Sequence, residues 1–305
     1  MKIAVASSIA LGKEIVDCVS QLHEVSYCIT TPDSPKGRSA TPVPNDFAQS
    51  MVGSPYQLFK PQSKAEIDPL LTSKSVDIVI TLAYGMLIPS LALKQPRFGW
   101  LNIHFSLLPK WRGASPVQSS LLAHERQGGY TIFQLDEGLD TGPIFYQGSY
   151  TYPDDAKTSE ILSALTFSSV QVLPKILNNI ESGCIPKPQV GDPGPHARKF
   201  SSTDGKIVTS MSVQDAYVIY KALSENPGVF LENSRTRIKI VEAKYELDSD
   251  ALPGQWVVSK NQLKLGFVGG YLILERVTPS GKRTMTGLDF MRGARIDSGD
   301  LFESL

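Results

Sequence analysis

The sequence lacks an excess of charge of either sign, because 30 lysines and arginines balance 30 aspartates and glutamates among its 305 residues. A balanced chain argues against a broad basic surface for nucleic acid, so any contact with RNA is expected from a local patch. The length allows two domains, each large enough to bury its own core.

Cysteine is also scarce, since the chain has only Cys18, Cys28 and Cys184 and no Cys-x-x-Cys pair. An odd number of widely separated cysteines argues against a disulfide framework and against a structural zinc site. We therefore expect buried or inert thiols.

The N-terminal residues, MKIAVASSIALG, contain one basic residue and lead directly into a helical pattern. This arrangement favours a first strand over a signal peptide. No uninterrupted apolar run reaches the length that spans a membrane. These patterns predict a soluble, cytoplasmic protein without a membrane contact, and we expect it to be a monomer.

The start of the chain has a β-α-β pattern, with strands at 2–7 and 24–30 around a helix at 13–22. Such an opening, together with an unbroken apolar run at 77–83, predicts an α/β fold with a doubly wound, Rossmann-like and mostly parallel sheet. The turn after the first strand, SSIALG, is not a GxGxxG, so it does not indicate a dinucleotide.

The pattern changes after a long predicted helix at 158–181. Residues 182–204 are rich in proline and glycine, which favours an extended, semi-rigid chain. A helix at 213–223 and several short strand-like runs follow, a pattern typical of a small β-barrel or sandwich. We predict a first domain at 1–183, a linker at 184–205 and a smaller β-barrel domain at 206–305.

Asn102 and His104 lie two residues apart at the end of an apolar run that begins at Gly99. A strand alternates its side chains, so both point to one face, at the sheet edge where open α/β folds bind ligands. A second run, 130–135, leads to Asp140 in GLDTG, and the three side chains converge if the two runs are neighbouring strands. An isolated Asn-x-His is usually a hydrogen-bonding pair at a strand end, whereas the whole constellation favours catalysis.

The residues DEGLD contain an acidic cluster of Asp136, Glu137 and Asp140. No other carboxylate or histidine follows at a spacing that would complete a divalent-metal site, so we predict no metal.

Two blocks, NIHFSLLPKWRGASPVQ from Asn102 and DEGLDTGPIF from Asp136, resemble the core signature of the 10-formyltetrahydrofolate-dependent formyltransferases. Weaker similarities follow the same order along the chain, at TPDSPKGR, FKPQS, AYGMLIP and VTPSGKRTMTGLDFMRG. The form WRGASPVQ after SLLP is most similar to the members of this family that formylate methionyl-tRNA. The resemblance therefore covers nearly the whole chain.

For the folate, the resemblance implies that 10-formyltetrahydrofolate is the co-substrate and that SLLP binds its tetrahydrofolate moiety. That segment would place apolar side chains and free backbone amides beside His104. Tyr84 and Gly85 would form one wall of the pterin pocket, although a strand–turn–helix junction explains Gly85 equally well. The implied folate-binding residues are Tyr84, Gly85, Ser106, Leu107, Leu108 and Pro109.

For the acceptor, the resemblance implies initiator methionyl-tRNA as the partner. A loop at 31–45, which carries Lys36 and Arg38, would insert into the acceptor arm, and an OB-like C-terminal barrel would help to hold the tRNA. Composition alone fits a simple connector at 31–45 equally well. Ser39 and Ala40 stand where relatives often carry further lysines.

Formyl transfer from N10 of the folate to an amine passes through a tetrahedral oxyanion, which sets three tasks. The amide of Asn102 is suited to donate a hydrogen bond to the oxyanion. The imidazole of His104 is suited to move the proton from the amine towards the leaving nitrogen. The carboxylate of Asp140 would orient that imidazole and favour its charged form.

Other functions remain open at this point. A sugar-nucleotide N-formyltransferase or a formyltetrahydrofolate hydrolase would use the same Asn, His and Asp, so these residues do not separate the three enzymes. The TPDSPKGR loop and the C-terminal segment favour tRNA. A non-catalytic RNA-binding or folate-sensing module on the same fold is the alternative of a different class. The intact triad argues against it, because binding alone needs no general acid or base.

Overall fold

The computed structural model describes residues 1–35 and 41–304, so Lys36 and Arg38 of the predicted tRNA-binding loop lie outside the described residues. The chain divides into two compact units. The N-terminal unit comprises Met1–Pro116, Gln127–Tyr152 and Leu162–Ala197. The C-terminal unit comprises Val117–Arg126, Pro153–Ile161 and Arg198–Leu305.

The first two thirds of the chain alternate between strands and helices. The strands are β1 (Lys2–Ser7), β2 (Glu24–Ile29), β3 (Ser34–Pro35), β4 (Pro42–Val43), β5 (Leu58–Phe59), β6 (Ile78–Leu82), β7 (Trp100–His104), β8 (Gln127–Gln134) and β9 (Ile144–Thr151). The helices are α1 (Gly12–Val19), α2 (Asp46–Ser50), α3 (Ile67–Ser73), α4 (Ser90–Lys94), α5 (Pro116–Leu122) and α6 (Thr158–Glu181), with a 3₁₀ turn at Lys64–Glu66.

The main sheet of the N-terminal unit has the strand order β5-β2-β1-β6-β7-β8-β9. The first five strands in this order, from β5 through β2, β1 and β6 to β7, pair in parallel. The last two, β8 and β9, pair antiparallel. The chain moves outward from β1 to β2 and β5 and then returns to β6 on the other side of β1. This reversal opens a crevice at the carboxyl ends of the strands, which is where such sheets bind ligands. The prediction of a mostly parallel, Rossmann-like sheet is confirmed.

The core of this unit explains the unbroken apolar runs. Every residue of β6 is buried, as expected for a central parallel strand that is covered on both faces. Trp100 at the start of β7 is fully buried, and its indole N–H donates to the carbonyl oxygen of Ala92 at 2.7 Å. Burial also raises the pKa of the Cys28 thiol to about 12, in agreement with the expectation of an inert thiol there.

Helix α6 is the one helix in the described part of the chain that is long and apolar enough to cross a membrane by length and composition. Core helices pass the same test. Its fully buried side chains recur at the helical spacing of one face, which is the pattern of a helix packed on a core. These residues are Ile161, Leu165, Thr166, Ser169, Leu173 and Leu177.

The C-terminal unit contains the strands β10 (Val229–Glu232), β11 (Arg237–Leu247), β12 (Trp256–Val258), β13 (Leu263–Phe267), β14 (Gly270–Pro279) and β15 (Met285–Thr286). They form an antiparallel sheet with the order β10-β11-β14-β13-β12, and β15 pairs with β14 beside this path. The pairing of β11 with β14 shifts register on both sides of Glu242, as it does at a β-bulge. The prediction of a second, smaller β-rich domain is confirmed, and its sheet is antiparallel. The unit also contains the helices α7 (Val213–Leu223) and α8 (Gly287–Ala294) and a 3₁₀ turn at Phe302–Ser304.

The segment 184–197, which follows α6, is held to the rest of the N-terminal unit by backbone hydrogen bonds. Lys187 exchanges both backbone hydrogen bonds with Ile144 at the start of β9, at 2.7 and 2.8 Å. Ala197 pairs with the residues on both sides of Gly113. Its N–H donates to the carbonyl oxygen of Arg112, and its carbonyl oxygen accepts from the N–H of Ala114. These residues therefore belong to the edge of the site described next.

Candidate active site

Asn102 and His104 occupy the carboxyl half of β7, between parallel β6 and antiparallel β8. Asn102 lies opposite Thr81 on one side and Phe133 on the other. The two apolar runs that lead to His104 and to Asp140 are thus neighbouring strands, as the convergence of these side chains requires. The polar pair stands at the carboxyl edge of the sheet because β7 ends at His104.

The amide of Asn102 is oriented by Thr81, whose hydroxyl donates to Oδ1 at 2.7 Å. Since Oδ1 accepts this bond, the amide nitrogen keeps its two N–H groups for other partners. Asn102 is half-buried, whereas Thr81 is buried. A fixed and partly accessible N–H donor at a strand end is the arrangement that an oxyanion site needs.

The imidazole of His104 is buried, with 6% of its side chain exposed. Its Nε2 lies 2.9 Å from the carbonyl oxygen of Trp111, and its Nδ1 lies 3.7 Å from Oδ2 of Asp140. A carbonyl oxygen only accepts, so Nε2 carries a proton in this arrangement. The distance to Asp140 allows Coulomb attraction but is too long for a hydrogen bond.

Asp140 lies in the loop between β8 and β9 and is 12% exposed at its side chain. Its backbone is in the left-handed region, with φ at +53°, and its Oδ2 accepts the N–H of Gly113 at 2.8 Å. Two residues later, Gly142 lies so close to β8 that a Cβ at this position would collide with the carbonyl oxygen of Gln134. The GLDTG spacing is thus needed for the close approach of the loop to β8.

The other two acids of the DEGLD cluster have partners of their own. Asp136 Oδ1 accepts from the N–H of Gly138 at 3.0 Å and from the hydroxyl of Thr141 at 2.7 Å, which closes the turn. Glu137 lies 3.6 Å from the ammonium of Lys94. Within 1–35 and 41–304, no group of three or more His, Cys, Asp or Glu is arranged to hold a metal ion.

The SLLP segment is tied to the sheet through Thr131 of β8. The N–H of Leu108 donates to the Thr131 hydroxyl at 3.0 Å, and that hydroxyl donates to the carbonyl oxygen of Ser106 at 2.6 Å. The amide of Leu108 is therefore not free, contrary to our expectation for this segment, because a buried N–H needs a partner. Ser106 and Leu108 are buried, whereas Leu107 and Pro109 are half-buried.

Of the two residues predicted to form the pterin wall, Tyr84 is part of the apolar core and Gly85 is exposed. Tyr84 is 4% exposed and packs in the apolar cluster with Ala92 and Trp100, and this burial raises the pKa of its phenol to about 12. Gly85 has φ at +81°, and no atom lies within 4 Å of the place that its Cβ would take. Only the backbone of this pair faces open space, which suits the close approach of a flat ligand.

Sequence reasoning did not single out Gln189 or Thr81, which complete the polar network. Gln189 lies in the predicted linker and contacts both Arg112 and the backbone of Asp140. It has no regular element around it, so no periodic pattern could have identified it. Arg112 braces this network through its guanidinium, whose Nε and Nη2 donate to Oε1 of Gln189.

Comparison with known proteins gives matches over almost the entire chain. A family model described as formyl transferase matches residues 1–177, and one described as formyl transferase, C-terminal domain, matches residues 199–295. A methionyl-tRNA formyltransferase of Cutibacterium acnes is 34% identical over 287 residues, which are 91% of each chain. One of Thermus thermophilus is 31% identical over 302 residues, which are 98% of each chain.

Solved structures with much lower sequence identity share the fold. HypX from Aquifex aeolicus in complex with tetrahydrofolic acid has a TM-score of 0.72 at 16% identity, over 95% of this chain and 47% of that chain. An N-formyltransferase from Helicobacter canadensis has a TM-score of 0.64 at 13% identity, over 90% and 98%. A methionyl-tRNA formyltransferase from Clostridium thermocellum has a TM-score of 0.57 at 15% identity, over 81% and 94%.

Proposed function

The chain belongs to the formyl transferase family, and from this premise we propose that it transfers the formyl group of 10-formyltetrahydrofolate to the free α-amino group of initiator methionyl-tRNA. The observation that carries this assignment is the identity of 30 to 34% to proteins named methionyl-tRNA formyltransferase over nearly the full length of both partners. This similarity includes the C-terminal unit. The amide, imidazole and carboxylate at the carboxyl edge of the sheet support the proposal, because they are the kinds of group that formyl transfer needs. The protein would act in translation initiation, in the cytoplasm and as a monomer.

In the reaction, the α-amino nitrogen forms a bond to the formyl carbon and the bond from that carbon to N10 breaks. The amine loses one proton and N10 gains one, so the products are formyl-methionyl-tRNA and tetrahydrofolate. The N–H groups of Asn102 would stabilise the oxyanion, because Thr81 already holds the amide oxygen. No covalent intermediate with the protein is needed.

His104 would carry the proton from the amine to N10, and Asp140 would stabilise the imidazolium that forms in between. The 3.7 Å separation of Nδ1 and Oδ2 supports this Coulomb role. In the described arrangement Nε2 carries a proton and donates it to Trp111. It can take up the proton of the amine only in the tautomer that is protonated at Nδ1, on the side of Asp140, and its contact with Trp111 is then exchanged for the substrate. We assign no catalytic role to Ser106, whose hydroxyl donates to the carbonyl oxygen of Lys110.

The folate would bind at the carboxyl edge of the sheet, against the accessible parts of the SLLP segment and the open backbone at Gly85. The half-buried side chains of Leu107 and Pro109 offer apolar contact there. We further propose that residues 1–183 catalyse the transfer, that 184–205 connect the domains, and that 206–305 hold the tRNA. Lys36 and Arg38 would contact the acceptor arm.

A transfer assay with 10-formyltetrahydrofolate and three acceptors tests this function: charged initiator methionyl-tRNA, free methionine and an amino-sugar nucleotide. We expect formylation of the charged tRNA alone. Transfer only to the sugar nucleotide would keep the catalytic residues but refute the tRNA assignment. Release of tetrahydrofolate without any acceptor would identify a hydrolase instead.

Replacing Arg38 with alanine is expected to raise the KM for methionyl-tRNA about tenfold, because one contact to phosphate or base is typically worth roughly 1–3 kcal/mol. The KM for 10-formyltetrahydrofolate should stay within about twofold. Steady-state kinetics with each substrate varied in turn measure both values. Arg97→Ala, at an exposed arginine of the same unit, is the matched control. An equal loss for both substrates would refute the assignment of Arg38 to the tRNA.

A further inference from the structure

The side chain of Gln189 links three parts of the site. Its Nε2 donates to the carbonyl oxygens of Asp140 and Gly142, both at 2.8 Å, and its Oε1 accepts from Nε and Nη2 of Arg112, at 3.1 and 2.6 Å. The orientation of the amide follows from its partners, since carbonyl oxygens only accept and a guanidinium only donates. All the hydrogen-bonding groups of this side chain are thus engaged inside the site.

These contacts form a closed ring with Asp140. Arg112 is followed by Gly113, whose N–H donates to Oδ2 of Asp140 at 2.8 Å. The aspartate is therefore held at its backbone carbonyl by Gln189 and at its carboxylate by Gly113. Ala197 fixes the backbone around Gly113, where φ is +118° and where a Cβ would collide with the Ala197 carbonyl oxygen. Only glycine fits at 113.

Asp140 needs such support because of its backbone conformation. Asp140 has φ at +53°, and a non-glycine residue in this left-handed region is strained, so it persists only where its surroundings hold it. The turn around it is closed by bonds from Gly138 and Thr141 to Asp136, and these bonds do not involve Asp140. Release of the Asp140 carbonyl would let the peptide rotate, and with it the direction of the carboxylate.

We propose that Gln189 is a positioning residue of the reaction, which holds the left-handed backbone of Asp140 so that its carboxylate faces the imidazole of His104. This inference rests on the role of Asp140 in the proposed function. Gln189 acts through Asp140 and does not touch the reacting atoms. The segment 184–197, which follows α6 in the N-terminal unit, thereby takes part in catalysis through one side chain.

Two substitutions separate the donor and acceptor functions of Gln189. Gln189→Ala removes all four hydrogen bonds. Gln189→Glu keeps an acceptor for Arg112, but its second carboxylate oxygen cannot donate to the carbonyl oxygens of Asp140 and Gly142. Both should lower kcat by about 10- to 100-fold, since a small misplacement of a catalytic group has effects of this size. The KM for 10-formyltetrahydrofolate should stay within about twofold. Val190→Ala, at the neighbouring side chain that is 86% exposed, is the control and should keep the kcat of the unsubstituted protein.

A double-mutant cycle with Asp140→Asn shows whether Gln189 acts through Asp140. The asparagine keeps the size of the side chain and the acceptor for Gly113 but not the charge. In this background, Gln189→Ala should change the single-turnover rate by less than about twofold, because no carboxylate is left to position. Thermal unfolding of all four proteins measures the structural cost separately, and we expect Gln189→Ala to lower Tm by the same amount in both backgrounds.

The outcomes are distinct. Gln189→Glu with an unchanged kcat would overturn the proposal, and so would Gln189→Ala with the same fold-loss in both backgrounds. Asp140→Asn with an unchanged rate would instead refute the role of Asp140, and the proposed mechanism with it.

Discussion

Replacing His104 with alanine is expected to lower kcat for the formylation of methionyl-tRNA by roughly 10²- to 10⁴-fold, the usual contribution of a general acid or base. The substitution removes the imidazole whose Nδ1 lies 3.7 Å from Oδ2 of Asp140. Folate affinity should stay within about threefold, because the SLLP segment is held to β8 through Thr131, independently of the imidazole.

Single-turnover rates and equilibrium binding of tetrahydrofolate measure the two effects for His104→Ala. His124→Asn is the control, because His124 is exposed and has φ at +56°, a conformation that asparagine tolerates. A His104→Ala enzyme whose rate stays within about tenfold would rule out general acid–base catalysis by this residue. Persistent binding with a collapsed rate would also exclude the non-catalytic binding module.

Replacing Asn102 with alanine should lower kcat by about 10²- to 10³-fold, the range found when one oxyanion donor is removed. Asn102→Asp should be at least as severe, because a carboxylate has no N–H to donate and its charge repels the oxyanion. The KM values should change little, since the donor acts mainly on charge that develops in the transition state.

The hydroxyl of Thr81 provides a graded test of this role of Asn102. Thr81→Ser keeps the bond to Asn102 Oδ1 and should retain most of the rate, whereas Thr81→Val leaves the amide free to turn. Pre-steady-state transfer rates for the four variants measure the series. If Asn102→Ala and Thr81→Ser reduced the rate equally, Asn102 would have a packing role and not an oxyanion role.

Several elements could be predicted from local pattern alone. The strand Lys2–Ser7 and the helices Thr158–Glu181 and Val213–Leu223 have the predicted bounds, because each has a clear apolar period and a clear end. The helix Gly287–Ala294 was not predicted, although Thr286 caps it by accepting the N–H of Asp289. A Thr three residues before an Asp is a recognisable start signal, which the many turn residues around it concealed.

The sequence by itself determined the two-part organisation and the face that Asn102 and His104 share, since chain order and strand alternation are local properties. It also gave the family resemblance. The tertiary structure decided which strands pair antiparallel, that the Tyr84 ring belongs to the core, and that Gln189 supports Asp140. The partners of Gln189 lie 47, 49 and 77 residues away along the chain, so no local pattern records these contacts. They form because folding removes part of the water around these half-buried polar groups, which then bond to one another.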